Sequence, residues 1–237
     1  MLGASADGAE RRRMTPSPSP LAIDTVVWSI PEPQVAAALR TRPLLVLLHG
    51  FGSFAGDLIQ LGTALQTDAV LASIQAPLVA PEPIRDGYAW FLGQRPGDPD
   101  RSDVEPSVAA VLTWLDALQA SVDAPFAVGL LGFSQGGVMV TELFRRAPER
   151  FATGVLLSGF TVAAPAPADA ALAGILPPLF WGRDTADPII TPAAVARAAA
   201  LLPRLFTVTE RTYAGIGHGV SLEELADVRA FLAATLA

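Results

Sequence analysis

A serine with glycine two residues away on either side, in Gly132-Phe133-Ser134-Gln135-Gly136, lies between an apolar run at 126–131 and a helix-spaced segment at 135–147. In a strand–turn–helix of this kind the chain passes close to itself on both sides of the turn, and the flanking glycines supply the clearance. The turn would hold the Ser134 hydroxyl at the top of a sheet, with the N-terminus of the next helix aimed at developing negative charge. Gly137 adds room for close helix–sheet packing. Ser134 is therefore the candidate nucleophile for acyl transfer.

A serine nucleophile needs a base, and the chain has only two histidines, His49 and His218. His49 directly follows the apolar run 44–48, in His49-Gly50-Phe51-Gly52. His218 lies in a glycine-rich loop, Gly215-Ile216-Gly217-His218-Gly219, between the last strand and the last helix. The chain order that accompanies this type of turn is nucleophile, acid, base, which selects His218. The carboxylates between Ser134 and His218 are Glu142, Glu149, Asp169, Asp184, Asp187 and Glu210. Only Asp184 and Asp187 sit just past a strand and before a helix, where a carboxylate can orient an imidazole. Both stay open on pattern alone, although the rigid continuation Pro188-Ile189-Ile190 leans toward Asp187.

Composition narrows the chemistry. With no cysteine, a thiol nucleophile, a disulfide scaffold and a thiolate metal site are excluded. Two imidazoles, one of them needed by the serine, leave little for a zinc centre. A formal net charge of −7 argues against nucleic acid or anionic lipid as the main partner. The chain is 51% hydrophobic with a mean hydropathy of +0.42, yet no run is long enough for an integral membrane segment, so the apolar surplus belongs in a core or a groove.

The elements that must position these residues alternate regularly. Strands are expected at 25–30, 44–48, within 76–80, and at 126–131, 154–158, 176–181 and 206–212. Helices are expected at 57–65, 104–120, 135–147, 192–202 and 222–236. Runs apolar on both faces between helices indicate a mostly parallel sheet covered by helices on both faces, an α/β class. The segment 81–106 is the longest without a periodic signal. Residues 1–20, with Arg11-Arg12-Arg13 and a Pro/Ser run, read as a disordered N-terminal tail, and 21–237 as a single catalytic domain. The basic triplet precedes prolines and serines rather than an apolar core, so no export signal is read, the expected location is cytoplasmic, and Met14 is an alternative start.

Taken together, Leu48-His49-Gly50-Phe51-Gly52, Gly132-Phe133-Ser134-Gln135-Gly136, Thr185-Ala186-Asp187-Pro188 and Gly217-His218 followed by Val220-Ser221-Leu222-Glu223-Glu224-Leu225 resemble the phospholipase/carboxylesterase family of α/β hydrolases, which includes acyl-protein thioesterases and small bacterial carboxylesterases. The resemblance spans about 24–235. It implies the α/β-hydrolase fold without a large cap domain, a triad of Ser134, Asp187 and His218, and no cofactor or metal. Asp187-Pro188 matches the family's Asp-Pro, whereas Asp184 stands where the family usually has glycine. The resemblance also assigns the backbone N–H groups of Phe51 and Gln135 to an oxyanion hole and makes His49 structural.

The expected function is that of a serine carboxylesterase acting on short- to medium-chain esters through an acyl-enzyme. Lysophospholipase or acyl-protein thioesterase is the alternative, followed by a lactonase or peptidase. The segment Gly87–Leu92 resembles one that runs beside the family's cleft. Phe54, Tyr88, Trp90, Phe91 and Phe160, with Phe51, are the candidates for an apolar acyl groove, the alternative for each being core or loop packing. A metal-dependent hydrolase is disfavoured by histidine scarcity, and a non-catalytic scaffold by retention of every triad position. The expected partner is a small-molecule ester or thioester, and the expected assembly a monomer or homodimer.

Overall fold

The computed structural model describes residues 20–93 and 97–236. The expected tail lies almost wholly outside these residues. The main sheet has seven strands in the order β1-β3-β2-β6-β7-β8-β9. They are β1 (Val26–Trp28), β2 (Leu44–Leu48), β3 (Val70–Ile74), β6 (Val128–Phe133), β7 (Thr153–Leu157), β8 (Pro178–Asp184) and β9 (Thr207–Tyr213). Only β1 runs antiparallel to its neighbour.

Alternation of side chains along each strand divides the interior in two. Leu44, Val46 and Leu48 face one core with Leu130, Leu156, Leu179 and Trp181, while Leu45 and Leu47 face the other with Leu131, Val155, Leu157 and Phe180. The first core is closed by α1 (Glu32–Ala38), α3 (Arg101–Val122), α4 (Gln135–Arg146), α5 (Asp169–Ile175) and α6 (Pro192–Leu205). The second is closed by α2 (Ala55–Ala64) and α7 (Leu222–Thr235). All five residues of β2 are buried, as a strand covered on both faces requires. This is the α/β-hydrolase arrangement, and the described residues form no large cap.

The third strand departs from the sequence reading. The sheet takes Val70–Ile74, not the stretch 76–80, of which Leu78–Val79 forms a two-residue strand, β4, paired with β5 (Tyr88–Ala89). Ala72 and Ser73 are weak strand formers, and burial between β1 and β2 overrides that preference. The short helices α1 and α5 fall in stretches that carry no helical period. Helix α3 begins at Arg101, before the periodic stripe, and holds Pro106 within it.

Strand order reverses direction between β2 and β6: β3 and β1 lie to one side, β7, β8 and β9 to the other. The crevice at the carboxyl ends of such a pair is where open α/β sheets bind ligands. His49 follows β2 and Ser134 follows β6.

Candidate active site

Ser134 has φ 52° and ψ −112°, a left-handed conformation that costs a non-glycine residue on the order of 1–3 kcal/mol and persists only where its surroundings enforce it. They do so here through the flanking glycines. A Cβ on Gly132 would meet Gly136 O at 2.2 Å, and one on Gly136 would meet Leu48 O at 1.9 Å. The Ser134 N–H donates to Leu157 O at 2.9 Å, which fixes the turn to the neighbouring strand.

Past β9 the chain turns at Gly215 (φ 81°) and Gly217 (φ 63°), conformations natural to glycine, and delivers His218 to the same crevice. His218 Nε2 lies 2.9 Å from Ser134 Oγ, and His218 Nδ1 lies 2.8 Å from Asp187 Oδ2. The other Asp187 oxygen accepts the N–H groups of Ile189 at 2.7 Å and Ile190 at 3.0 Å. The Phe133 ring packs against the imidazole with centroids 4.9 Å apart. With Nδ1–H donated to Asp187, Nε2 is free to accept the serine proton, and the carboxylate faces the positive charge this creates.

Asp184 does not contact the imidazole. It is buried at the end of β8, where Oδ1 accepts from Ala186 N at 2.8 Å and Oδ2 accepts from Gly217 N.

His49 is fully buried, and both ring nitrogens are bonded to backbone groups and not to the serine. Its Nε2 accepts the Ala76 N–H at 3.0 Å and its Nδ1 donates to Gly50 O at 2.8 Å. Burial lowers its pKa, so it is a neutral strut beneath the Gly50–Phe51 turn. That turn is also tied to β5: Gly52 N donates to Tyr88 O, and Tyr88 N to Ser53 O, both at 2.8 Å. Gln135, as the first residue of α4, has no intrahelical carbonyl for its N–H. The Phe51 N–H takes no backbone partner among the described residues.

Beside Ser134 lies a cleft of about 300 Å³ lined by Phe51, Phe91, Leu92, Phe160, Ile189 and Ile190, among others. Three of the aromatic candidates are absent from it. Trp90 is fully buried, donating its indole N–H to His49 O at 2.8 Å, and so belongs to the core. Tyr88 is used in pairing β5 with β4, and Phe54 is the half-exposed residue immediately before α2. Leu92, the end of the Gly87–Leu92 segment, does line the cleft, whereas pattern reading missed Ile189 and Ile190. The only signal for the isoleucines was their place directly after Asp187-Pro188.

Distant groups fix the cleft walls. Gln135 Oε1 accepts the Trp90 N–H at 2.8 Å, and Gln135 Nε2 donates to Phe91 O at 2.7 Å. Near Phe160, the buried Arg145 guanidinium pairs with Glu142 and Asp169 and donates to Val162 O at 2.9 Å and Ala164 O at 2.8 Å, two to four residues further along the chain.

Comparison with known proteins gives a consistent picture. Residues 33–236 match the family model described as Phospholipase/Carboxylesterase. A probable carboxylesterase of Oryza sativa is 26% identical over 86% of this chain and 81% of its own. Acyl-protein thioesterase 1 of Debaryomyces hansenii is 25% identical over 86% of this chain and 96% of its own. The crystal structure of a carboxylesterase from Mesorhizobium loti superposes with a TM-score of 0.70 at 25% identity, covering 84% of this chain and 92% of that one.

Proposed function

Because the chain belongs to the phospholipase/carboxylesterase family, whose members are esterase-type hydrolases, we propose that it is a serine carboxylesterase in which Ser134, His218 and Asp187 form the catalytic triad. The observation that carries this reading is the continuous hydrogen-bonded line from Ser134 Oγ through the imidazole to the Asp187 carboxylate, opening onto an apolar cleft.

In the first step Ser134 Oγ attacks the ester carbonyl carbon as its proton passes to His218 Nε2. Asp187 holds the ring in the tautomer that accepts this proton and balances the imidazolium charge. The tetrahedral oxygen, now anionic, is received by the Phe51 and Gln135 N–H groups at the positive end of α4. The C–O bond to the alcohol breaks, the alcohol takes the proton from His218, and the acyl group remains on Ser134. Water then attacks the acyl carbon, giving a proton to His218, the bond from the acyl carbon to Ser134 Oγ breaks, Oγ takes that proton back from His218, and the carboxylic acid leaves.

The substrates proposed are neutral carboxylic esters with short to medium acyl chains. The cleft is apolar and modest in size, and no charged side chain is among its lining residues within the described part of the chain. A thioester presents the same carbonyl to the same donors, and the likeness to an acyl-protein thioesterase favours this as the second reading.

A hydrolysis panel of aryl esters of increasing chain length, run against lysophospholipid and acyl-thioester substrates with a Ser134→Ala control, tests the assignment. Turnover concentrated on short and medium aryl esters, absent in the control, supports the carboxylesterase reading. A clear preference for the thioester or lysophospholipid transfers the assignment to the alternative.

A further inference from the structure

Strands β8 and β9 are parallel neighbours whose pairing ends at Asp184 opposite Tyr213. From this edge one loop leaves toward Asp187 and the other toward His218. Both loops must hold their tips at fixed separation, since the imidazole spans 2.8 Å to Asp187 and 2.9 Å to Ser134. The loop toward His218 is poorly equipped for this by itself. Two of its residues, Gly215 and Gly217, are glycines at positive φ, and glycine has the most conformational freedom to lose. Among the described residues, no backbone–backbone hydrogen bond joins 214–220 to another loop.

The carboxylate of Asp184, 4% exposed, occupies the gap between the two loops. Its Oδ1 accepts from Ala186 N at 2.8 Å and from Thr185 Oγ1 at 3.2 Å, both on the Asp187 loop. Its Oδ2 accepts from Gly217 N, the residue immediately before His218. A carboxylate can accept on both oxygens at once, and no neutral side chain of this size does so. The Ala186 N–H, followed by that of Gly217, holds the carboxyl below its ordinary range, so it stays ionised and accepting.

We propose that Asp184 is a positioning residue, whose carboxylate ties the Asp187 loop to the His218 loop and thereby sets the imidazole between Ser134 and Asp187. It touches no reacting atom and acts through His218. The proposal rests on the triad reading above and adds to it a carboxylate at a position where the resembling family usually has glycine.

The test is a double-mutant cycle on aryl ester hydrolysis. Asp184→Asn keeps one acceptor oxygen for the Ala186 side but turns an N–H₂ group toward the Gly217 N–H, releasing the His218 loop. Because misplacement of a reacting group by about 1 Å costs on the order of 10²-fold, kcat is expected to fall by about 10- to 100-fold with KM nearly unchanged. In a His218→Ala background the same substitution should have no further effect, because the group it positions is gone. Asp184→Gly, which removes the carboxylate without turning a donor toward the Gly217 N–H, is the second variant should the amide fail to fold, and thermal melting checks both. Wild-type kcat in a folded Asp184 variant, or losses that multiply with His218→Ala, would overturn the proposal. Wild-type turnover in His218→Ala alone would instead overturn the triad reading, so the two failures are distinguishable.

Discussion

Gln135 and Trp90, 45 residues apart in the chain, are joined by a 2.8 Å hydrogen bond from the Trp90 N–H to Gln135 Oε1, and the same amide group donates to Phe91 O. The residue whose backbone N–H is assigned to the oxyanion hole thus also holds one wall of the cleft with its side chain. Gln135→Ala keeps the backbone donor and strands two buried backbone groups, at about 1–3 kcal/mol each. The variant should melt several degrees lower. Its KM should rise most for the longer aryl esters, which rely on Phe91 and Leu92. An unchanged chain-length profile would show that this clamp does not shape the cleft.

The elbow tolerates no side chain at Gly136. A Cβ there would sit 1.9 Å from Leu48 O, a backbone atom of the central strand that cannot swing aside. Gly136→Ala should therefore abolish soluble folded protein or lower its melting point severely. Gly174→Ala provides the contrast, since a Cβ at that position in α5 meets nothing within 4 Å. It should be stabilised by roughly 0.5–1 kcal/mol through helix propensity, measurable by denaturant unfolding.

The carboxyl of Glu224 is fully buried, with its Oε1 lying where a Cβ on Gly182 would come within 2.0 Å. Burial raises its pKa to about 7, an effect opposed by the Ser221 N–H and reinforced by Asp227. The folded state thus binds this proton more tightly than the unfolded chain. The stability it confers is complete below the unfolded value of about 4.5 and is lost as pH rises through about 7. The total is on the order of 3 kcal/mol. Glu224→Gln mimics the protonated form, so it should flatten this slope and melt above wild type at pH 8. Parallel stability curves for the two proteins would refute the assignment.

Both imidazoles are fully engaged, His49 with Gly50 O and Ala76 N, His218 with Ser134 and Asp187. Prolonged dialysis against EDTA should leave ester hydrolysis unchanged, whereas loss of turnover restored by added metal would contradict the proposed mechanism.

How much of this could be read in the sequence depended on range. Ser134 and His218 were legible because chemistry and scarcity coincide: one serine sits in a glycine-flanked elbow, and one histidine lies downstream of it. Strand β2 was legible because five consecutive apolar residues admit little else. Asp184 and Asp187 were not separable by spacing, since both precede the same helix. The family's Asp-Pro chose Asp187, and the loop path brings that carboxylate to the imidazole and the Asp184 carboxylate to Gly217 N. Trp90 looked like a groove residue because it lies in the Gly87–Leu92 segment, which resembles the family's cleft-side stretch, and its burial depends on bonds to His49 O and Gln135 Oε1 from distant elements. Strand β3 escaped because its Ala72 and Ser73 acquire strand conformation from β1 and β2 and not from their own propensity.

Among changes that leave the protein folded, replacement of Asp187 by asparagine should lower turnover most after those at Ser134 and His218, because the amide presents the wrong tautomer partner to Nδ1. In the serine proteases the equivalent change costs about 10⁴-fold in turnover. Comparison of kcat for Asp187→Asn and wild type on one aryl ester, with both shown to fold, checks this, and a loss of less than about tenfold would remove Asp187 from the triad.

The central claim, that Ser134 is the nucleophile, is tested most directly by locating the adduct formed with a fluorophosphonate probe by mass spectrometry while following residual ester hydrolysis. The expected result is a single adduct on Ser134, with activity lost in step with its formation. Ser134→Ala, whose small side chain suits the elbow, should fold yet take no label and turn over no ester. An adduct on any other residue, or comparable turnover in Ser134→Ala, would contradict the account.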